Sequence, residues 1–200
     1  MQTMNEKLVL ATRNPGKVAE MQALLPGFQL LSLDDVGFAE EIAEPFETFH
    51  ENAEAKARAV FEHTRIPALS DDSGLCVAAL DGAPGVLSKR YAGEQATDAD
   101  NITKLLEAMR TEPDRAAHFT AVICLMDARG QPHSFEGICK GHIAEKPAGD
   151  RGFGYDPVFV PDGFDEPFAA LPKEVKNNIS HRAKALEKLK AYLAQGGADA

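Results

Sequence analysis

The chain has 200 residues, 44% hydrophobic and 26% charged, which suits one large globular domain or two small lobes with a packed core. Its formal net charge of −10 argues against broad binding to nucleic acid or anionic membrane, which needs a basic surface, but leaves room for a small anion in a local basic pocket. Cys76, Cys124 and Cys139 form no CxxC or zinc spacing, so a reducing, cytoplasmic setting is expected, and the first apolar run is too short for a signal peptide or membrane span.

KLVLA (7–11) reads as a buried strand. TRNPG follows, with Asn14 suited to cap a helix and Pro15 to its first position. Val18, Met21, Leu24 and Leu25 recur at helical spacing, and Gly27 is expected to close that helix. Residues 30–33 are expected as a second strand, followed by an acidic stretch with Glu40, Glu41 and Glu44. Thr48 and Glu51 match a capping box, and the helix behind them carries Phe49, Ala53, Ala57, Val60 and Phe61. Residues 66–69 read as a strand running into a turn at DDSG.

Thr97 or Asp98 should start a helix with Ile102, Leu105, Leu106 and Met109 inward. Residues 118–127 and 133–140 read as the two strands of a hairpin around ARGQ. A glycine-rich loop spans 147–156, PVFV is a strand, and Ser180 caps a last helix with Leu186, Leu189 and Leu193 on its core face. The expected class is therefore α/β, with a mixed central sheet flanked by helices in two lobes around a cleft. Residues 1–195 are expected as a single domain and 196–200 as a flexible tail.

Several short stretches could carry chemistry. In TRNPGK, backbone N–H groups at a helix start and Lys17 suit a phosphate, but the motif by itself favours a plain capped helix with a solvated lysine, and the stretch is no Walker A loop. Asn52 and Lys56 lie four apart and share a helix face, so Lys56 is either solvated or a phosphate contact. Asp71 and Asp72 are neighbours on an extended chain, so their side chains point to opposite sides. One can face a magnesium and water site while the other holds the turn; a bare turn is the competing reading. GFGYD places Phe153 and Tyr155 between and beside glycines, either to stack on a base or as core aromatics in a turn. His181 and Arg182 follow the cap Ser180, where cations oppose the helix dipole unless an anion or polar base is near.

In order, TRNPGK, TFHENAEAKA, SDDSGL, GAPGVLSKRYAG, GFGYDPVF and KNNISHR resemble the motifs of the inosine/xanthosine triphosphate pyrophosphatase family, from about Leu8 to Leu193. The resemblance implies a mixed α/β fold, a homodimer, and Mg²⁺-dependent hydrolysis of dITP, ITP or XTP to the monophosphate and pyrophosphate. By motif, Thr12, Asn14 and Lys17 resemble the first phosphate loop, and Lys56 the helix lysine that meets the triphosphate. Asp72 resembles the water-activating, metal-binding acid, with Asp71 beside it, and Ser73 resembles a substrate contact. Phe153, Gly154, Tyr155, Asp156, Lys176, His181 and Arg182 resemble the base-side contacts; Arg90 lies in a similar motif. The family often pairs two acids before the TFxEN helix. Here Ala43 takes one of those places, so Glu44 is the expected second metal ligand and Glu41 the fallback. A pyrophosphatase for other modified nucleotides and a non-catalytic nucleotide sensor are the rival readings.

Overall fold

A computed structural model describes residues 7–196; most of the expected flexible tail lies outside them. The strands are β1 (Lys7–Leu10), β2 (Gln29–Leu31), β3 (Ala68–Val77), β4 (Ala116–Met126), β5 (Pro132–Ile143) and β6 (Phe159–Pro161). The α-helices are α1 (Pro15–Leu24), α2 (Phe49–Thr64), α3 (Asp98–Ala108), α4 (Lys173–Ile179) and α5 (His181–Ala194). The strands form one six-stranded sheet in the order β2-β1-β3-β4-β5-β6. β1 pairs parallel with β2 and β3, whereas β5 and β6 are antiparallel, so the sheet is mixed. Among the described residues no helix is long and apolar enough to cross a membrane.

The described residues form two compact units: residues 7–72, 122–136 and 185–196, and residues 73–121 and 137–184. Unit 1 packs apolar side chains on both faces of its strands. Val9, Val122 and Cys124 meet Ala53, Ala57, Val60 and Phe61 of α2. Leu8, Leu10, Leu69 and Ile123 meet Met21 of α1 and Leu186 and Leu189 of α5. Strands buried on both faces read as continuous apolar runs, which is why KLVL and AVICLM lack alternation. Unit 2 has its own core of Leu75, Val77, Leu105, Met109, Phe119, Tyr155, Phe159 and Phe168. Burying each such large side chain contributes about 1.5–3 kcal/mol.

Several boundaries differ from the expectation. Helix α1 ends at Leu24 with Leu25 as its cap, short of Gly27, because the Leu25 amide still reaches the Met21 carbonyl. β2 ends at Leu31, and Leu33 is buried beyond it. Residues 157 and 158 precede β6 rather than belonging to it. Thr48 and Glu51 form a variant of the capping box: the Thr48 hydroxyl accepts from the Glu51 amide and donates to the Glu51 carboxylate. The full capping box stands at Thr97 and Asp100 instead. Helix α4 was not foreseen; it is short and ends at Ser180, whose hydroxyl then caps α5 by accepting from the Ala183 amide at 3.2 Å.

The largest correction concerns DDSG. It is not a turn but the middle of the ten-residue strand β3, and eight of those ten residues are buried. Asp, Ser and Gly favour turns only where nothing stronger competes. Here Leu69 and Leu75 anchor the stretch in apolar clusters on either side, and the Ser70 hydroxyl donates to the Ala53 carbonyl of α2 at 2.6 Å.

Candidate active site

In unit 1 the site begins where β1 runs into α1. Asn14 lies ahead of the helix in extended backbone, and its Oδ1 accepts from the amides of Gly16 (2.9 Å) and Lys17 (3.1 Å). The Asn14 amide in turn donates to Thr12 Oγ1 at 3.2 Å. The donors at this helix start are therefore engaged by the chain's own cap. The functional element they leave is Lys17, whose side chain reaches Asp71 Oδ1 at 2.5 Å and the Asp71 main-chain carbonyl at 3.3 Å.

Helix α2 brings the second lysine. Lys56 lies on the same face as Ala53, Ala57 and Val60, so its stem is buried and its ammonium emerges beside β3. It donates to Glu44 Oε1 at 2.6 Å, to the Asp71 carbonyl at 2.8 Å and to Asp72 Oδ1 at 3.0 Å. Two ammonium groups thus converge on one backbone oxygen, and three carboxylates surround them. As strand alternation requires, Asp71 and Asp72 take different lysines. Among the described residues, Asp72 Oδ2 is buried and has no hydrogen-bond partner.

Burial pushes the Asp72 carboxyl above its ordinary range; the ammonium groups of Lys56 and Lys17 pull it down, Glu44 pushes it up, and burial wins. For Lys56, burial works against the charge, but Asp72 and Glu44 together hold its pKa above the ordinary lysine value. The result is a charged lysine beside a carboxylate made more basic than usual, the combination that general-base chemistry needs.

The donor set suits Mg²⁺ better than a soft metal. Among the described residues no three His, Cys, Asp or Glu side chains gather in metal-ligating geometry. Mg²⁺ keeps several waters and takes one or two carboxylates plus phosphate oxygens, so the carboxylates of Asp72 and the part-exposed Glu44 are a sufficient protein share.

Unit 2 holds a second polar cluster. Asp156 is buried; one of its oxygens accepts from the Phe153 amide at 2.8 Å and from Lys176 at 2.5 Å. The Lys176 ammonium lies 4.6 Å from the Phe153 ring centre, and the Arg182 guanidinium 5.8 Å. Arg182 is fully buried and donates to the Ser73 hydroxyl at 3.1 Å. Gly152 has φ +77°, and a Cβ there would fall 2.0 Å from Asp156 Oδ2, so the tight turn beneath Phe153 requires glycine.

Other residues singled out in the sequence have further partners. Tyr155 is a core residue: it packs in the unit 2 core and donates its hydroxyl to the Ser88 carbonyl at 2.8 Å. Burial raises its phenol far above the usual value. The Gly154 amide is taken by Asp98 of α3 at 2.7 Å. His181 stacks on Phe119, ring centres 4.6 Å apart, and is buried. Arg90 approaches Glu94 at 3.5 Å. Sequence reasoning missed Asp98 and Phe119, for which nothing in the local pattern gives a signal. It also passed over Asn52 as a site residue, although its helical spacing from Lys56 was visible.

The model of the Ham1 family matches residues 8–192. The chain belongs to the Ham1 family. A dITP/XTP pyrophosphatase from Christiangramia forsetii is 46% identical to this Ham1 chain over 190 residues, covering 94% of it and 100% of the relative. One from Geobacter sulfurreducens is 46% identical over 195 residues, covering 96% and 98%. Among solved structures, a HAM1 protein from Coxiella burnetii superposes with a TM-score of 0.87 at 44% identity, covering 95% of the Ham1 chain and 99% of that one. The Staphylococcus aureus Ham1 protein gives 0.87 at 37%, covering 96% and 100%. The resemblance carried by the sequence motifs and the mixed sheet flanked by helices both hold.

Proposed function

We propose that this chain hydrolyses dITP, ITP and XTP to the nucleoside monophosphate and pyrophosphate. Relatives covering nearly the whole chain carry the name dITP/XTP pyrophosphatase. The observation that carries the reading is Asp72: one oxygen is held by Lys56 and the other is buried without a hydrogen-bond partner among the described residues.

Unit 1 handles the triphosphate. Lys17 and Lys56 exchange carboxylate and carbonyl partners for phosphate oxygens and offset their charge. Asp72 Oδ2 orients a water and takes its proton as the water oxygen bonds to the α-phosphorus. The bond from that phosphorus to the oxygen bridging to the β-phosphate breaks, and pyrophosphate leaves with the electron pair. Mg²⁺, when bound, would be held by Asp72 and Glu44 and would neutralise charge on the phosphate oxygens. Unit 2 handles the base: Phe153 offers a ring face, and Lys176 and Arg182 offer donors suited to a 6-oxo purine. A site that hydrogen-bonds O6 leaves its donors unpaired against the 6-amino group of adenine, which discriminates strongly. Thr12 and Asn14 hold the Lys17 turn, and Ser73 follows Asp72 directly in β3. Residues 1–195 act as a single catalytic domain, and the chain works as a cytoplasmic homodimer.

The test is a product assay with dITP, XTP, GTP and ATP in the presence and absence of Mg²⁺. Pyrophosphate release from dITP and XTP, dependent on Mg²⁺ and weak with ATP, is expected. Orthophosphate release would sink the mechanism, and equal rates with ATP would sink the specificity. Sedimentation at assay concentration reads the oligomeric state, for which a dimer is expected.

A further inference from the structure

Glu44 sits in a part of unit 1 with no regular structure: residues 41–45 belong to no helix, strand or turn. Carboxylates on such segments are poorly placed by default, because loops are the mobile parts of a fold. Yet Glu44 Oε1 reaches Lys56 at 2.6 Å. Ile42 packs against the unit 1 core, and two side-chain clamps on main-chain atoms hold the segment on either side of it. Upstream, the Arg13 guanidinium donates to the carbonyls of Phe38 and Glu40. Downstream, Asn52 takes both polar groups of Phe46: its Oδ1 accepts from the Phe46 amide at 3.0 Å, and its Nδ2 donates to the Phe46 carbonyl at 3.0 Å.

Asn52 is 1% exposed and lies in the first turns of α2, four residues before Lys56 on the same face. Helix α2 therefore supplies both the ammonium that Glu44 meets and the carboxamide that fixes the main chain two residues after Glu44. The match is chemically specific. A donor and an acceptor on one short planar group are needed to meet an amide and a carbonyl of the same residue, and only Asn offers both at this length. The Phe46 side chain is 42% exposed, so its packing does little to hold the segment.

We infer that Asn52 is the positioning residue for Glu44, clasping the Phe46 backbone so that the Glu44 carboxylate is held at Lys56. This inference rests on the proposed role of Glu44 beside Asp72. A purely structural Asn52 would lower stability and leave the rate well below the melting temperature unchanged. A positioning Asn52 lowers the rate while the fold survives, because the freed Phe46 groups are near the surface and water can satisfy them.

The test combines Asn52→Ala, Asn52→Asp and Glu44→Gln in a double-mutant cycle on dITP hydrolysis, with amide exchange over residues 43–47 as a readout independent of activity. Asn52→Asp is isosteric and keeps the acceptor while losing the donor, so it serves if Asn52→Ala does not fold. Each Asn52 variant should lower kcat/KM by about 10–100-fold, the range for losing a partner that orients a ligand. Exchange at 43–47 should quicken. In the Glu44→Gln background the further loss should be under about twofold, since residues acting through one another are not additive. If Glu44→Gln is impaired but the Asn52 losses multiply in full, or if Asn52 variants keep the wild-type rate and exchange, this inference fails and the proposed active site stands. If Glu44→Gln matches wild type, the role given to Glu44 fails, and the inference with it.

Discussion

Replacing Asp72 by Asn separates chemistry from folding. The carboxamide matches the carboxylate in size, so packing in β3 is kept. Lys56 loses a charge partner at 3.0 Å but retains Glu44 at 2.6 Å and the Asp71 carbonyl at 2.8 Å. What disappears is the proton acceptor, a contribution of about 10²–10⁴-fold, or about 2.7–5.4 kcal/mol of barrier. Stability should move the other way. Because burial raises the Asp72 pKa, the folded state holds that proton more tightly than the unfolded chain. Wild-type stability from this group is therefore present below the unfolded pKa and lost as pH rises through the folded one. Asn carries no such loss, so Asp72→Asn should melt at or above the wild-type temperature at neutral pH, and the difference should shrink towards acid. The assays are pyrophosphate release under saturating dITP and Mg²⁺, and thermal melts across pH 3–8. A variant that keeps the wild-type rate would refute the assignment of the base. One that melts well below wild type at neutral pH would refute the claim that burial of the charge dominates.

Lys56→Met should remove at least about 10²-fold in kcat and destabilise by about 3–5 kcal/mol, because it leaves Asp72 and Glu44 facing each other without the ammonium; activity and urea unfolding read the two effects. Gly152→Ala puts a Cβ against Asp156 at φ +77° and should cost about 1–3 kcal/mol while raising KM for dITP more than it lowers kcat. Tyr155→Phe removes only the hydrogen bond to Ser88 and should cost about 1 kcal/mol in denaturation, leaving the ratio of dITP to ATP hydrolysis unchanged; a shift in that ratio would return Tyr155 to the base side.

Much of the fold was legible because its signals are local. Asn14 before Pro15, Thr97 before Asp100 and Ser180 before His181 mark helix starts through hydrogen bonds that span three residues or fewer. Periodic apolar residues placed α1, α2, α3 and α5. DDSG misled because its composition describes what the segment does alone, whereas its strand conformation belongs to β3 as a whole, which lies in the sheet between β1 and β4, both distant in sequence. The lysines of the candidate site could be picked out one by one. Their convergence could not, since Lys17 and Lys56 meet at Asp71 only through the placement of α1 and α2 beside β3. Tyr155 shows the reverse limit: a motif position beside a glycine left base stacking and core packing both open, and the hydroxyl partner that favours the core, Ser88, lies 67 residues away.

The oxygen on which both lysines close belongs to the backbone of Asp71. Every amino acid has that atom, so no substitution at position 71 deletes it. The meeting point of the two positive charges is written into the path of the strand, and a comparison of side chains alone would pass over it. The Asp71 carboxylate beside it can be exchanged during evolution or engineering while the lysines keep a common anchor. A redesign of phosphate recognition in this chain should therefore begin by preserving the course of β3 together with Asp72 and Glu44, and treat the Asp71 side chain as the adjustable part.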